Sequence, residues 1–175
     1  GRDVLLYDAR PEQAEAAAAA LGGGPAAVAS GSLEEALACD LVVTVTPGRE
    51  PILPWLSLRA GQHVSLMGAD GPGKAEIELD ELLRTRIVCD EWEQASHNGE
   101  LANALREGRV RRDDVAELGR VLIGEQAGRR SEEEITAFDS TGLAVQDLAV
   151  ALAIFERYRA DPDADAFASV VEIAL

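Results

Sequence analysis

The amino-acid sequence predicts a doubly wound α/β domain built on a parallel sheet. Short apolar runs rich in Val, Ile and Leu alternate with segments of helical character, which is the order typical of βα units. Most of these runs lack the polar alternation of a half-exposed strand, so we expect the sheet to be covered on both faces. The 175 residues, 47% of them apolar, suffice for one sizeable core.

Local signals set the elements in order. The first helix begins at Pro11, a favoured first helical residue, and stops at Gly22 and Gly23. In the second, "SLEEALA", Ser32 and Glu35 have capping-box spacing. The predicted strands are 3–8, 26–30, 40–45, 63–67, 86–90 and 135–139, and further helices are predicted at 79–84, 99–106, 113–119 and 142–159.

The ends of the chain give a domain division. A polar joint, "ADPDADA" at residues 160–166, precedes a short apolar tail. We therefore place one domain over residues 1–159 and a C-terminal tail over residues 160–175. The sequence opens inside a structural element, "GRDVLLYD", without an initiator Met, so we expect it to be part of a longer polypeptide.

Charge and composition exclude several classes of function. With 32 acidic and 16 basic residues, the net charge of −16 repels nucleic acid and anionic membranes, and no apolar run is long enough to span a bilayer. Cys39 and Cys89 lie in apolar stretches, as expected for core residues in a reducing, cytoplasmic compartment. His63 and His97 have no second ligand at metal-binding spacing, so we predict no metal site.

Polar residues at strand ends form the candidate site. Doubly wound sheets bind ligands outside the carboxyl ends of their strands. Asp8 ends the first predicted strand, Thr46 follows the third, and Asp70 in "GADGPGK" follows the fourth, so we expect the three to converge on one edge of one sheet. The alternative for Asp70 is an ordinary surface turn.

The position of Asp8 suggests a dinucleotide. An acid at the end of such a strand can hold the adenosine ribose hydroxyls, which favours NAD over NADP, although Arg10 could accommodate a 2′-phosphate; otherwise Asp8 is a helix-flanking carboxylate. The Gly-rich phosphate loop would then lie roughly 20 residues upstream, before Gly1. "GGGPAA" at residues 22–27 imitates that loop but lies between a helix and a strand, the wrong context.

Several long motifs carry a family resemblance. "VVTVTPGREPIL", "GADGPGKAEIELDELL", "VCDEWEQASHNGEL" and "ITAFDSTGLAVQDLAVA" resemble the ornithine cyclodeaminase and mu-crystallin family, in particular its archaeal-type alanine dehydrogenase branch. The likeness runs from about Asp3 to about Tyr158. It implies a Rossmann-like fold that lacks its first βα unit and the family's N-terminal substrate and dimerisation domain. Residues 1–159 would then be a partial NAD(P)-binding domain, and the tail would pack on the absent one.

The resemblance also implies roles for residues. Asp70 would act in proton transfer beside the nicotinamide, and Asp8 would hold the adenosine ribose. The other residues implied at the cofactor are Thr46, Met67, Gly68, Ala69, Lys74 and Ser140. Lys74 could instead be a solvated turn residue. Ser140 and Thr141 have no paired His for nucleophilic chemistry, and we expect them to cap the helix at 142–159.

The implied function is an NAD-dependent oxidoreductase that acts on an L-amino acid. In the alanine dehydrogenase reaction, L-alanine, NAD and water give pyruvate, ammonia and NADH. One alternative is ornithine cyclodeaminase, which converts L-ornithine to L-proline and ammonia, and another is a crystallin-like ligand-binding protein without turnover. The expected partners are an amino acid or 2-oxo acid and a second copy of the chain in a homodimer.

Overall fold

The computed structural model describes residues 3–24, 26–48, 50–69, 71, 73–162 and 164. The chain forms two compact units, residues 1–141 and 142–175. The strands are β1 (Val4–Leu6), β2 (Val28–Ser30), β3 (Leu41–Thr44), β4 (His63–Leu66), β5 (Arg86–Cys89), β6 (Ala116–Glu117) and β7 (Thr136–Asp139). The helices are α1 (Pro11–Leu21), α2 (Leu33–Leu37), α3 (Leu79–Leu82), α4 (Trp92–Ala95), α5 (Gly99–Arg106), α6 (Leu118–Leu122) and α7 (Ala144–Ala160).

All strand pairings in the described residues are parallel, which confirms the predicted fold class. Five strands form one sheet in the order β3-β4-β7-β5-β6, while β1 and β2 form a separate pair. In the larger sheet, Leu41 lies opposite His63, and His63 opposite Thr136, so β3, β4 and β7 start and end together. The carboxyl ends of these three strands therefore lie side by side.

The core lies on one face of the five-stranded sheet. Inward-facing side chains of the strands pack there against α3, α4 and α5; the buried set includes Val42, Val64, Leu66, Leu82, Ile87, Cys89, Ala95, Leu101, Ala104 and Ala137. Along β3 the burial alternates, because Val42 and Thr44 are buried whereas Leu41 and Val43 are exposed. The expectation that both faces are covered is therefore wrong for β3.

Elements with strong local signals form as predicted. All six predicted strands are present, α1 starts at Pro11, and the Ser32–Glu35 capping box closes at the start of α2. The predicted helix at 113–119 is wrong in part, because that segment is a 3₁₀ turn (Arg112–Asp114), then β6, then the start of α6. Pairing of β6 with β5 outweighs the local helical preference there.

The second unit is represented by α7. Its 17 residues begin after Leu143, close to the predicted start, and many of its apolar side chains are exposed, among them Leu148, Leu152 and Phe155. The prediction that Ser140 and Thr141 cap this helix is wrong, because the Thr141 hydroxyl bonds to Asp90 instead. The predicted domain division at 159/160 stays a prediction, and residues 165–175 lie outside the described part. No described helix combines the length and apolarity needed to cross a bilayer.

Candidate functional site

The carboxyl edge of the five-stranded sheet gathers most of the predicted site residues. Thr46 follows β3, the segment Met67–Ala69 follows β4, and Ser140 follows β7. Neighbouring backbones link these ends, because the Met67 amide donates to the Thr44 carbonyl (2.9 Å) and the Ser140 amide donates to the Leu66 carbonyl (3.0 Å). The structure thus brings together the ends of β3 and β4, which the sequence placed at one edge, and adds the end of β7, where the family resemblance placed Ser140.

A buried carboxylate joins two of these ends. Glu76 has no exposed surface, and each of its oxygens accepts two hydrogen bonds. Its Oε1 accepts from the amide (2.6 Å) and the hydroxyl (2.7 Å) of Thr46. Its Oε2 accepts from the Thr44 hydroxyl (2.7 Å) and the Gly68 amide (2.7 Å). Glu76 therefore holds the residues after β3 and β4 in a fixed relation.

Glycines allow the backbone to approach closely at this edge. A Cβ at Gly68 would overlap the Thr46 carbonyl oxygen and lie 2.6 Å from the Glu76 Oε1. Gly48 has a φ of +63°, a conformation that L residues rarely adopt, and a Cβ there would lie 3.1 Å from the Lys74 Cβ. Gly48 also donates its amide to the Thr46 hydroxyl (3.2 Å). Both positions require glycine for this geometry.

Two further buried carboxyl groups, those of Glu100 and Asp139, continue the hydrogen-bond network from the main chain of Glu76. The Glu76 amide donates to the Glu100 Oε1 (2.5 Å), and the amides of Glu100 and Leu101 donate to the two oxygens of Asp139 (3.2 and 3.0 Å). Burial raises the pKa of Glu100 to about 8; the Glu76 amide lowers that pKa, and the nearby Asp139 and Glu76 charges raise it. Burial likewise raises the pKa of Asp139 to about 7.

Asp8 and Arg10 follow β1, a strand that does not belong to the five-stranded sheet. Asp8 follows β1, which pairs with β2 and not with the larger sheet, so the expectation that Asp8, Thr46 and Asp70 share one sheet is wrong. In the described residues no strand joins the edges of β1 and β3. The Asp8 Oδ1 accepts the Arg10 amide (2.8 Å) and lies 3.5 Å from the Arg10 Nε.

The loop after β4 carries the remaining predicted residues. Ala69 is buried, whereas Asp70 lies outside the described residues, so its predicted role stays a prediction. Lys74 is half-buried, and its carbonyl accepts a hydrogen bond from the Asn103 Nδ2 (3.1 Å). This contact ties the end of the loop to α5.

The histidines and cysteines behave as structural residues. The His63 Nδ1 lies 2.7 Å from the Thr136 hydroxyl and its Nε2 lies 3.1 Å from the Ser65 hydroxyl, while burial, with a smaller contribution from the Arg129 charge, lowers its pKa. Cys39 and Cys89 are free thiols, and burial raises the pKa of Cys89 to about 12. Among the described residues there is no group of three potential metal ligands.

Sequence reasoning missed the buried acids. Asp90 directly follows the apolar strand β5, and Asp139 is the last residue of the apolar strand β7. The rule that ligands bind at the carboxyl ends of strands, which selected Asp8, could also have selected these two residues. Asp90 accepts the Thr141 amide (2.7 Å) and hydroxyl (3.0 Å). Glu76 and Glu100 carry no such signal, since each looks like a polar residue of an amphipathic segment.

Comparisons with known proteins confirm the family resemblance. The sequence model of the ornithine cyclodeaminase/mu-crystallin family matches residues 2–161. An alanine dehydrogenase of Archaeoglobus fulgidus is 41% identical over 155 residues, which cover 88% of this chain and 48% of that protein. An iminosuccinate reductase of Paracoccus denitrificans is 39% identical over 117 residues, which cover 67% of this chain and 36% of that protein.

A solved structure agrees in fold. An archaeal alanine dehydrogenase dimer with bound NAD matches with a TM-score of 0.84 at 40% identity, over 91% of this chain and 50% of the other. The chain thus spans about half the length of that protein and of the curated alanine dehydrogenase that it matches.

Proposed function

Since the chain belongs to the ornithine cyclodeaminase/mu-crystallin family, we propose that its carboxyl edge forms part of the NAD site of an oxidoreductase acting on an L-amino acid. The observation that carries the proposal is the cluster of Thr46, Gly68 and Ser140 at adjacent strand ends. The relatives support it, because one is an alanine dehydrogenase and one matching structure contains NAD. The proposed reaction is the oxidative deamination of L-alanine to pyruvate and ammonia.

The residues at the edge suit a nicotinamide nucleotide in chemistry. Val45 and Met67 lie one residue beyond the paired Thr44 and Leu66, and their side chains are 75% and 42% exposed. Exposed apolar side chains at this position can pack against the flat face of a ring. Beside them, the Thr46 hydroxyl donates to Glu76 and accepts from the Gly48 amide, which leaves one lone pair that can accept a hydrogen bond from a nucleotide.

NAD, when bound, would supply the acceptor for the hydride of the amino acid's α-carbon. Asp70 is proposed to accept a proton from the water that attacks the oxidised carbon and to return it to the departing amine, which requires a group that can both bind and release a proton. Lys74, at the end of the same loop, is proposed to favour the ionised form of Asp70 or to bind a phosphate. Asp8 is proposed to bind the adenosine ribose, which favours NAD over NADP.

The test is turnover by the complete gene product that carries this sequence. With L-alanine and NAD, we expect NADH to accumulate and pyruvate and ammonia to appear in equal amounts. The alternative from the same family, cyclodeamination, would give L-proline from L-ornithine without net NADH. A complete gene product that converts neither amino acid would refute the proposal, and if it still bound NAD it would favour the crystallin-like ligand-binding alternative.

The oligomeric state is proposed from the same comparison. The matching alanine dehydrogenase structure is a dimer, so we propose a homodimer for the complete gene product. Light scattering of the purified protein would show twice the monomer mass. A monomer that is active would contradict it.

A further inference from the structure

We propose that Glu76 is a positioning residue for the cofactor, fixing the two strand ends between which the nicotinamide half of NAD binds; this inference rests on the function proposed above. Glu76 lies between β4 and α3 and is wholly buried. Because it has no exposed surface, it acts through the groups that it holds and does not touch the cofactor itself.

The hydrogen bonds of Glu76 are divided between the two loops. Among the described residues, its Oε1 accepts hydrogen bonds from Thr46, and its Oε2 accepts hydrogen bonds from Gly68 and Thr44. Two of these donors are backbone amides, which cannot reverse to become acceptors. A group at this position must therefore present an acceptor to each loop at once, which a carboxylate does and an amide does not.

The hydrogen bonds by which Glu76 links Thr46 to Gly68, here called the Glu76 bridge, also determine where the loop after β3 turns. The Thr46 hydroxyl donates to Glu76 and accepts from the Gly48 amide, so the carboxylate fixes Thr46 and Thr46 fixes the turn at Gly48. On the other side, the absence of a side chain at Gly68 lets the two loops close around Glu76. If the Glu76 side chain were displaced, the loops after β3 and β4, which border the proposed site, would both move.

The main chain of Glu76 is held independently of its side chain. The Glu76 carbonyl accepts the amides of Ile52 and Leu53 (2.9 and 3.1 Å), and the Glu76 amide is held by Glu100. A change of the side chain therefore alters the contacts to Thr46 and Gly68 while the backbone keeps its anchors. This separation makes Glu76→Gln an informative substitution.

A second buried carboxylate provides the matched control. Glu81 also has no exposed surface and accepts two backbone amides, from Leu56 (2.8 Å) and Leu58 (2.7 Å), in addition to its ion pair with Arg84 (2.7 Å). None of these partners belongs to the proposed cofactor edge. Glu81→Gln should therefore disturb a comparable buried network without changing the cofactor loops.

The experiment compares NAD binding and kinetics of the complete gene product with those of the two variants. In Glu76→Gln one backbone amide faces an NH₂ group, and we expect the dissociation constant of NAD to rise at least about tenfold, with a matching rise in the KM for NAD. In Glu81→Gln we expect a lower melting temperature but an NAD affinity within about twofold of the parent protein.

Further variants keep the test decisive. If Glu76→Gln does not fold, Thr44→Val removes one donor to Glu76 without touching the proposed NAD contacts, and it should raise the dissociation constant severalfold. The side chain of Glu76→Asp keeps the carboxylate but is one methylene too short to reach both loops. Its affinity for NAD should therefore stay as low as that of Glu76→Gln. A parent protein that binds NAD while Glu76→Gln and Thr44→Val bind it equally well would overturn this inference alone, whereas a parent protein that binds no NAD would refute the proposed function.

Discussion

The stability of the protein should fall as the pH rises through neutrality, because two buried carboxyl groups bind protons more tightly in the folded state than in the unfolded chain. Burial raises the pKa of Glu100 from 4.5 to about 8 and that of Asp139 from 3.8 to about 7. In the unfolded chain both groups ionise near their lower, usual values. Between those values and the raised ones, the folded state binds more protons than the unfolded state, so the free energy of unfolding decreases with pH.

The structure sets the size of this effect. One pKa unit corresponds to about 1.4 kcal/mol, so each group contributes a slope of at most that amount per pH unit. For Glu100 alone the loss between the two limits is at most on the order of 5 kcal/mol. Because both groups lie at the start of α5, ionisation of one opposes ionisation of the other, and they titrate as a pair.

Urea unfolding of the complete gene product at a series of pH values would measure this slope. The Gln side chain in Glu100→Gln cannot ionise but keeps an oxygen that can accept a hydrogen bond from the Glu76 amide. The slope of its free energy of unfolding against pH should therefore be smaller than that of the parent protein by the equivalent of one bound proton. Glu132→Gln removes the same formal charge at an exposed position and should keep the slope of the parent protein. A parent protein whose stability rises with pH over this range, or equal slopes in the parent and in Glu100→Gln, would refute the reasoning.

Three further substitutions test the proposed site. Gly68→Ala places a Cβ 2.6 Å from the Glu76 Oε1 and should weaken NAD binding more than tenfold by calorimetry, whereas Gly119→Ala, which meets open space, should not. Asp70→Asn should lower kcat by about 100-fold or more with little change in NAD affinity, and unchanged turnover would exclude Asp70 as the acid/base group. Asp8→Ser should shift the ratio of NAD to NADP affinity toward NADP by about tenfold, and a constant ratio would contradict the ribose assignment.

The sequence predicted those parts of the fold that depend on local signals. Pro11 and Ser32 determine helix starts through their own backbone and side chain, so both starts were predicted correctly. The two-residue strand β6 exists because β5 lies beside it, which no local pattern reports. The separation of β1 from β3 is likewise a property of strand pairing and not of either segment alone.

Some residues of the candidate site could likewise be predicted from the sequence, and others could be found only in the structure. Thr46 and the loop after β4 could be placed at one edge because parallel strands that start together also end together, whereas Gly68 and Ser140 were implied there only by the family resemblance. The bridge from Glu76 to Thr46 spans 30 residues of sequence, and its existence depends on the close approach of two loops. A buried carboxylate of this kind has the same local sequence character as an exposed one, so only the structure could identify it.

The strand order shows why Asp8 and Glu76 can be tested separately. β1 and β2 form a pair of their own, whereas β3 and β4 belong to the five-stranded sheet, so Asp8 and the Glu76 bridge lie at the ends of strands in different sheets.

In the described residues Asp8 and Glu76 share no hydrogen-bond partner, and under the proposed function they would act on different halves of NAD. Sites without a shared partner usually have nearly additive free energies. The double variant Asp8→Ser, Glu76→Gln should therefore weaken NAD binding by the product of the two single effects, within about twofold. A double variant that binds no more weakly than the worse single variant would mean that both residues act on the same part of the cofactor, and the assignment of Asp8 to the ribose would then be wrong.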